Sequence, residues 1–236
     1  MDEPPPISDD PRSPMAFDPS SNNHPAISAA VFDFDGTIAD TLTEALEIVN
    51  KLAPSYGFEP VSREFAETLR SFGAREVISR VGVKPRALPK LHLEIRRLLK
   101  DRIPSVNPFQ GIPEAITKLA KGRIRLGVLT SNSADNVRCF LDRTGLLPNF
   151  QFVIGASSLF GKARHLRKIL NNELAGIPVS EIAYIGDEVR DIQAAHKAGL
   201  RSVAVSWGLN TREALAKTKP QHIFDSPHEL SAAFVD

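Results

Sequence analysis

The decapeptide VFDFDGTIAD, residues 31–40, carries two aspartates, Asp33 and Asp35, at the end of an apolar run. Side chains alternate along a strand, so this spacing predicts both carboxylates on one side. Like charges that close repel each other. Gly36 and Thr37 follow at once and break the strand. A cation, a shared proton or a reaction would offset the repulsion.

Other segments end in residues of matching chemistry. VLTSNS places Thr130, Ser131 and Asn132 at the end of a second apolar run. YIGDEVRD places Asp187 at the end of another, with Asp191 one helical turn on. FGKARHLRKIL puts Lys162 at the opening of a helix. Brought together, these ends supply four carboxylates, one lysine and a hydroxyl cluster, a set that suits phosphoryl transfer. Magnesium prefers hard oxygen ligands, commonly carboxylates plus a phosphate, and Asp33 and Asp187 can supply the carboxylates. The metal and the lysine offset the charge of an incoming phosphate. One carboxylate can attack phosphorus. A second can protonate the leaving alcohol and later activate water. Thr130 and neighbouring amides can hold the non-bridging oxygens.

The elements that must position these residues follow from the pattern of apolar runs. The runs at 29–34, 124–129, 152–155, 182–186 and 201–205 are nearly continuous, as expected of parallel strands buried on both faces. HIFD, 222–225, adds a short edge strand. Helical patterns at 113–121, 133–143, 162–172 and 189–198 separate them. The predicted fold class is α/β, a Rossmann-like parallel sheet core with an inserted all-helical cap domain. The insertion is read from the interval between the first two strands, about 90 residues, far beyond what a crossover needs. Helices are expected there at 41–53, 62–70, 74–81 and 85–100, punctuated by Pro54, Pro60, Pro85 and Pro104. The expected division is a catalytic core of residues 26–39 and 108–236, and a cap of residues 40–107 over the strand end that carries ligand in open α/β sheets. Residues 1–25 hold seven prolines, five acids and one arginine, and read as a disordered proline-rich tail. A true start at Met15 remains open.

Composition excludes several classes. With 236 residues, 42% hydrophobic, the chain can bury one sizeable core. A net charge of +1 carries no nucleic-acid signature. The single cysteine, Cys139, excludes an internal disulfide and a cysteine metal cluster, and fits a reducing compartment. No apolar run approaches membrane-spanning length and no secretory signal opens the chain. The expectation is a cytoplasmic protein acting on a small phosphorylated metabolite, with no nucleic-acid or membrane partner. The oligomeric state is not legible.

DFDGT, VLTSN, Lys162 and GDEVRD stand in the order of the four motifs of the haloacid dehalogenase-like hydrolase superfamily, and residues 27–236 resemble it. The cap position is similar to the helical-cap branch, and GDEVRDIQAAHKAG with VAVSWG looks most like phosphoglycolate phosphatases. The resemblance implies a magnesium-dependent phosphomonoester hydrolase working through an aspartyl-phosphate. It makes Asp33 the nucleophile and a magnesium ligand. Asp35 becomes the general acid/base, with its backbone carbonyl on the metal. Thr130 and Ser131, with Lys162, hold the phosphoryl group, Asp187 ligates magnesium, and Asp191 supports these residues from behind. Glu188 stands where relatives often carry Ser or Thr, so its role is open. GKAR presents the lysine without the Lys-Pro pair common in close relatives.

A phosphomutase would use the same residues, and a catalytically idle binding protein shares the fold, so both alternatives stay open. A dehalogenase has no need of Asp35. A phosphonate hydrolase needs a buried cap lysine, and nothing marks Lys51, Lys84 or Lys90 as one. Residues 59–102 carry eleven Lys/Arg against six Asp/Glu. Within them Arg75, in a Gly-led loop-to-helix stretch, is the candidate contact to an anionic substrate. None of the six histidines shows zinc spacing, and surface or satisfied structural roles are expected for all. Trp207 is expected to pack.

Overall fold

The computed structural model describes residues 26–156 and 161–235. The proline-rich tail expected at residues 1–25, with Met15, lies outside the described residues. In chain order the elements are β1 (Ala29–Phe32), α1 (Leu42–Tyr56), α2 (Arg63–Leu69), α3 (Ala74–Val81), α4 (Leu88–Arg102), α5 (Ile112–Lys121), β2 (Arg125–Thr130) and α6 (Ala134–Arg143). There follow β3 (Phe150–Gly155), α7 (Lys162–Asn171), β4 (Ile182–Gly186), α8 (Val189–Ala198), β5 (Arg201–Val205), α9 (Arg212–Ala216), β6 (His222–Phe224) and α10 (Pro227–Val235).

The strands form one six-stranded sheet in the order β3-β2-β1-β4-β5-β6, and every pairing is parallel. The near-continuous apolar strands are explained by cover on both faces. Alternate residues divide between the two faces: Ala30, Phe32, Ala183 and Ile185 enter one core with Ile112, Ile116, Val137 and Phe140 of α5 and α6. Ala29, Val31, Ile182 and Tyr184 enter the other with Leu166 and Ile169 of α7 and Ala194 and Ala195 of α8.

The inserted cap holds α1 to α4 between β1 and β2, with its own apolar cluster of Ile48, Leu52, Ala53, Phe58, Val83, Leu91 and Leu99. Local chemistry sets its helix ends. Ser62 caps α2, its side chain accepting from Phe65 N at 3.1 Å. Gly57, at φ 71°, ends α1 in the left-handed conformation that costs glycine least. Pro54 does not stop α1 as its position suggested. It lies in the last turn, and the helix runs on to Tyr56. Pro85–Ala87 form a 3-10 turn, and α4 begins at Leu88 rather than at 85.

Candidate active site

Three adjacent strands deliver the candidate residues to one edge. Phe32 of β1 stands opposite Val128 of β2 and Ile185 of β4. Asp33 therefore leaves β1 beside the ends that carry Thr130 and Asp187. The strand order also reverses between β1 and β4, the place where open parallel sheets leave a crevice. Lys162 reaches the same edge as the first residue of α7.

Lys162 Nζ lies 2.6 Å from Asp33 Oδ2 and 2.6 Å from Asp191 Oδ1, and all three residues are buried. The other oxygen of Asp33, Oδ1, is buried without a hydrogen-bond partner. Asp191 Oδ2 accepts from Glu188 N at 3.1 Å, which fixes it against the start of α8. Asp187 accepts from Thr37 Oγ1 at 2.7 Å and from Leu209 N at 2.8 Å.

Asp35 has separate surroundings. Strand β1 ends at Phe32, and Asp33 N still donates to Ile185 O at 2.8 Å. A turn follows at Asp35–Ala39, with Gly36 N donating to Ala39 O at 2.9 Å. Asp35 instead accepts from Thr41 Oγ1 at 3.0 Å and from Asn132 Nδ2 at 3.2 and 3.3 Å. The pair is thus one acid on a lysine and one on neutral donors.

Burial pushes the Asp33 carboxyl up to about 7, against the lowering pull of Lys162. Burial also raises Asp35, opposed by its bonds to Thr41 and Asn132. Asp187 is pushed well above the usual carboxylate range by burial and by the charges of Glu188, Asp33 and Asp191. Burial works to lower Lys162, but the carboxylates of Asp191 and Asp33 hold it well above its ordinary value. The cluster is therefore rich in acid that lacks enough positive charge. That excess, with an orphaned Asp33 oxygen at its centre, fits a divalent cation. Carboxylate oxygens of Asp33, Asp187 and Asp191 lie within 4.8 Å of one another. The donor set is all hard oxygen, and the lone Cys139 is exposed. Of the three, Asp191 is already engaged by Lys162 and Glu188 N, so it is the least available.

The remaining candidates divide. Thr130 is buried, its Oγ1 accepting from Asn132 N at 2.9 Å. Ser131 is buried beside it, and Ser133 rather than Thr130 caps α6. Glu188 is the N-cap residue of α8 and binds Arg190 through Nε at 2.9 Å and Nη2 at 2.5 Å. Arg75 is exposed on the first turn of α3, lining a groove with Ile78, Lys84 and Leu88, and does not join the buried cluster. Trp207 packs on the main core and donates Nε1 to Thr37 O at 3.0 Å.

Sequence reasoning missed Thr37, Thr41 and Asn210. Thr37 and Thr41 flank the motif acids and were readable only as turn residues. Asn210 lies in a loop after β5, and only the fold brings it to Asp187, whose backbone oxygen accepts from Asn210 N at 3.2 Å. His92 also departs from expectation, because its Nε2 is buried without a hydrogen-bond partner.

Two glycines let the backbone close around Asp187. A Cβ on Gly36, at φ +78°, would meet Asp187 Oδ2 at 2.1 Å. One on Gly208 would meet Gly36 O at 2.2 Å.

A family model described as haloacid dehalogenase-like hydrolase matches residues 30–205. A phosphoglycolate phosphatase of Synechococcus elongatus is 34% identical over 207 residues, 88% of this chain and 97% of the relative. An N-acetylmuramic acid 6-phosphate phosphatase of Pseudomonas aeruginosa is 25% identical, covering 86% of this chain and 93% of the relative. Among solved structures, a haloacid dehalogenase-like family hydrolase from Streptococcus pneumoniae superposes with a TM-score of 0.70 at 20% identity, over 88% of this chain and 98% of that one. CbbY of Rhodobacter sphaeroides, in complex with phosphate, does so with a TM-score of 0.67 at 23% identity, over 88% and 99%. Motif order, the convergence of those motifs at one sheet edge and the family match agree, and the chain belongs to the haloacid dehalogenase-like hydrolases, as an enzyme of phosphatase type.

Proposed function

We propose that the protein is a magnesium-dependent phosphomonoester hydrolase that acts through a phosphorylated Asp33 on a small metabolite of the phosphoglycolate kind. The observation that carries this reading is the asymmetry of Asp33: one oxygen on Lys162 and the other buried and unsatisfied. Such an oxygen is available for bond formation, while its partner stays fixed.

In the first half-reaction Asp33 Oδ1 bonds to phosphorus and the ester oxygen leaves with the bonding pair. The carboxyl of Asp35, raised by burial, gives that oxygen its proton. In the second half, Asp35 takes a proton from water, the water oxygen bonds to phosphorus, and the acyl phosphate bond returns its pair to Asp33. Lys162, Thr130 and amides of the Ser131 loop hold the phosphoryl oxygens. Asp33, Asp187 and the backbone oxygen of Asp35 would hold magnesium, with Asp191 behind them. When bound, the ion supplies positive charge for the phosphoryl oxygens. Glu188 neutralises Arg190 and shapes the start of α8. Arg75 is assigned to steering anionic substrate across the cap, residues 40–107, toward a core of residues 26–39 and 108–236.

The name of the Synechococcus relative supports phosphoglycolate as the first substrate to assay. The exposed Cys139 is compatible with a cytoplasmic setting. The test is phosphate release from phosphoglycolate with magnesium, then with chelator. Magnesium-dependent release, lost in Asp33→Asn, is expected. Release that persists in Asp33→Asn or in chelator overturns the mechanism.

A further inference from the structure

A groove of about 670 Å³ runs along α5, from Pro113 to Gly122, and ends against Val235 of α10. Residues four apart share one helix face, so Pro113, Thr117 and Lys121 form its wall. Val235 stands 36% exposed beside it. A Cβ on Gly122 would meet Val235 Cγ2 at 2.9 Å, so this glycine lets α10 close the end of the groove. None of these residues belongs to the cluster of acids and lysine.

The rim of the groove is basic. Residues 118–125 hold Lys118, Lys121, Arg123 and Arg125 and no acid, and among the described residues Glu114 is the one acid that lines the groove. The negative end of a helix attracts cations by itself, which accounts for Lys118 and Lys121 in the last turn of α5. Arg123 and Arg125 lie beyond that turn. Arg123 is also held at φ 63°, a left-handed conformation that burdens a side chain and not a glycine. The helix end therefore does not explain the whole basic run, and an acidic segment seated there would offset it.

The chain itself supplies such a segment. Residues 2–10, DEPPPISDD, set Asp2, Glu3, Asp9 and Asp10 around three prolines and Ile7, with no base. A run of prolines loses little freedom on docking and suits apolar grooves. The connection is close at hand. Ser28 O accepts from Arg125 N at 3.0 Å, and Ile27 packs in one cluster with Leu119 of α5 and Leu230 of α10. The chain thus reaches β1 beside the two helices that form the groove. The stretch from Asp10 to Ala26 spans at most about 55 Å, whereas α5, of 10 residues, is about 15 Å long.

We propose that residues 2–10 dock in the groove along α5, with Ile7 and the prolines against Pro113, Thr117 and Val235 and the flanking acids on Lys121 and Arg123. The docked segment clasps α5 to α10 and covers Val235. It does not depend on the phosphatase reading.

The test is disulfide trapping in the full chain, with Cys139 replaced by serine. Ser8→Cys is paired either with Glu114→Cys in the groove or with Lys168→Cys, exposed on α7 across the sheet. Both positions lie within reach, so a tether without docking closes the two pairs at similar rates. The groove pair should close about tenfold faster or more. Asp9→Lys with Asp10→Lys, which leaves every described residue untouched, should bring the two rates within about twofold of each other. Lys121→Glu with Arg123→Glu should do the same from the side of the groove. Equal rates before any charge reversal, or a preference indifferent to the reversals, overturns the docking. A disulfide that forms between chains and quickens with protein concentration, with no closure inside one chain, would place a second copy in the groove and overturn it too.

Discussion

Asp33 and Asp35 are two residues apart in sequence, yet their surroundings prepare them for different tasks. Asp33 sits on Lys162 with one oxygen unsatisfied, whereas Asp35 sits on the neutral donors of Thr41 and Asn132. Asp33→Asn is expected to abolish turnover, since an amide oxygen forms no stable phosphoryl ester here. The same change should not weaken the fold. Asp33 is held above its unfolded value by burial, so ionising it works against the native state as pH rises from about 4 toward about 7. In chelator at pH 8, Asp33→Asn should melt no lower than wild type. A markedly lower melting temperature would mean that the Lys162–Asp33 pair is a net stabiliser. Asp35→Asn should slow alkyl phosphates by about 100-fold or more and aryl phosphates far less, because a good leaving group needs little protonation. Steady-state rates on an alkyl and a nitrophenyl ester decide this, and a larger loss on the nitrophenyl ester removes Asp35 as the acid. These acids were legible because an apolar strand rarely ends in them without cause. Their separate partners were not, because they depend on the turn at Asp35–Ala39 and on side chains from distant segments.

At the scale of elements, the loop after β5 has the widest reach. Asn210 Nδ2 donates to Arg70 O at 2.8 Å and Phe72 O at 2.9 Å, both in the cap, while its Oδ1 accepts from Val189 N at 2.9 Å. Thr211 N adds a bond to Arg70 O, and Arg70 returns two, to Gly208 O and Leu209 O. Asn210→Ala removes three bonds from a buried residue, for an expected loss of about 2–4 kcal/mol in urea unfolding. Asn210→Asp keeps the acceptor for Val189 N but sets a carboxylate against two carbonyls. Hydrogen exchange should then rise in residues 70–73 and hold steady in α8. Equal exchange changes in both would mean that the cap and α8 do not separate. The strands, the cap helices and helices α5 to α8 were readable from periodicity, to within a few residues at each end, whereas α9 and α10 were not read. This tether was not, because Arg70 and Asn210 are 140 residues apart and neither belongs to a motif. The ends of α1 and α4 shifted for local reasons: a proline tolerated in a last turn, and a 3-10 turn preceding a helix.

The whole molecule is a charge arrangement held in a parallel sheet. Its buried acids Asp33 and Asp191 share one buried lysine, and Asp187 lies beside them. A cation that binds the folded protein and not the unfolded chain stabilises it, by about 2.7 kcal/mol at a hundredfold excess over Kd. For a chain of this size that is a rise of roughly 5–10 °C in Tm. Thermal melts should show this with magnesium and reverse it with chelator, and a Tm indifferent to magnesium would remove the acid cluster as a metal site. The order of strands has a parallel effect on tolerance to mutation. Gly36→Ala and Gly208→Ala push a methyl into Asp187 and the Gly36 carbonyl, so both should lose activity before they lose the fold. The loop that presses on Asp187 is also the loop that ties down the cap. Leu209 N donates to Asp187 Oδ2 while its neighbours hold residues 70–72. Two equilibria that share one segment are thermodynamically linked, and the linkage is reciprocal. A change that tightens the grip on Asp187 through this segment should favour the docked cap, and one that loosens residues 70–72 should weaken that grip by the same free energy. A substitution that frees residues 70–72 should therefore also be readable as a smaller rise of Tm with magnesium, measured at a site it does not touch.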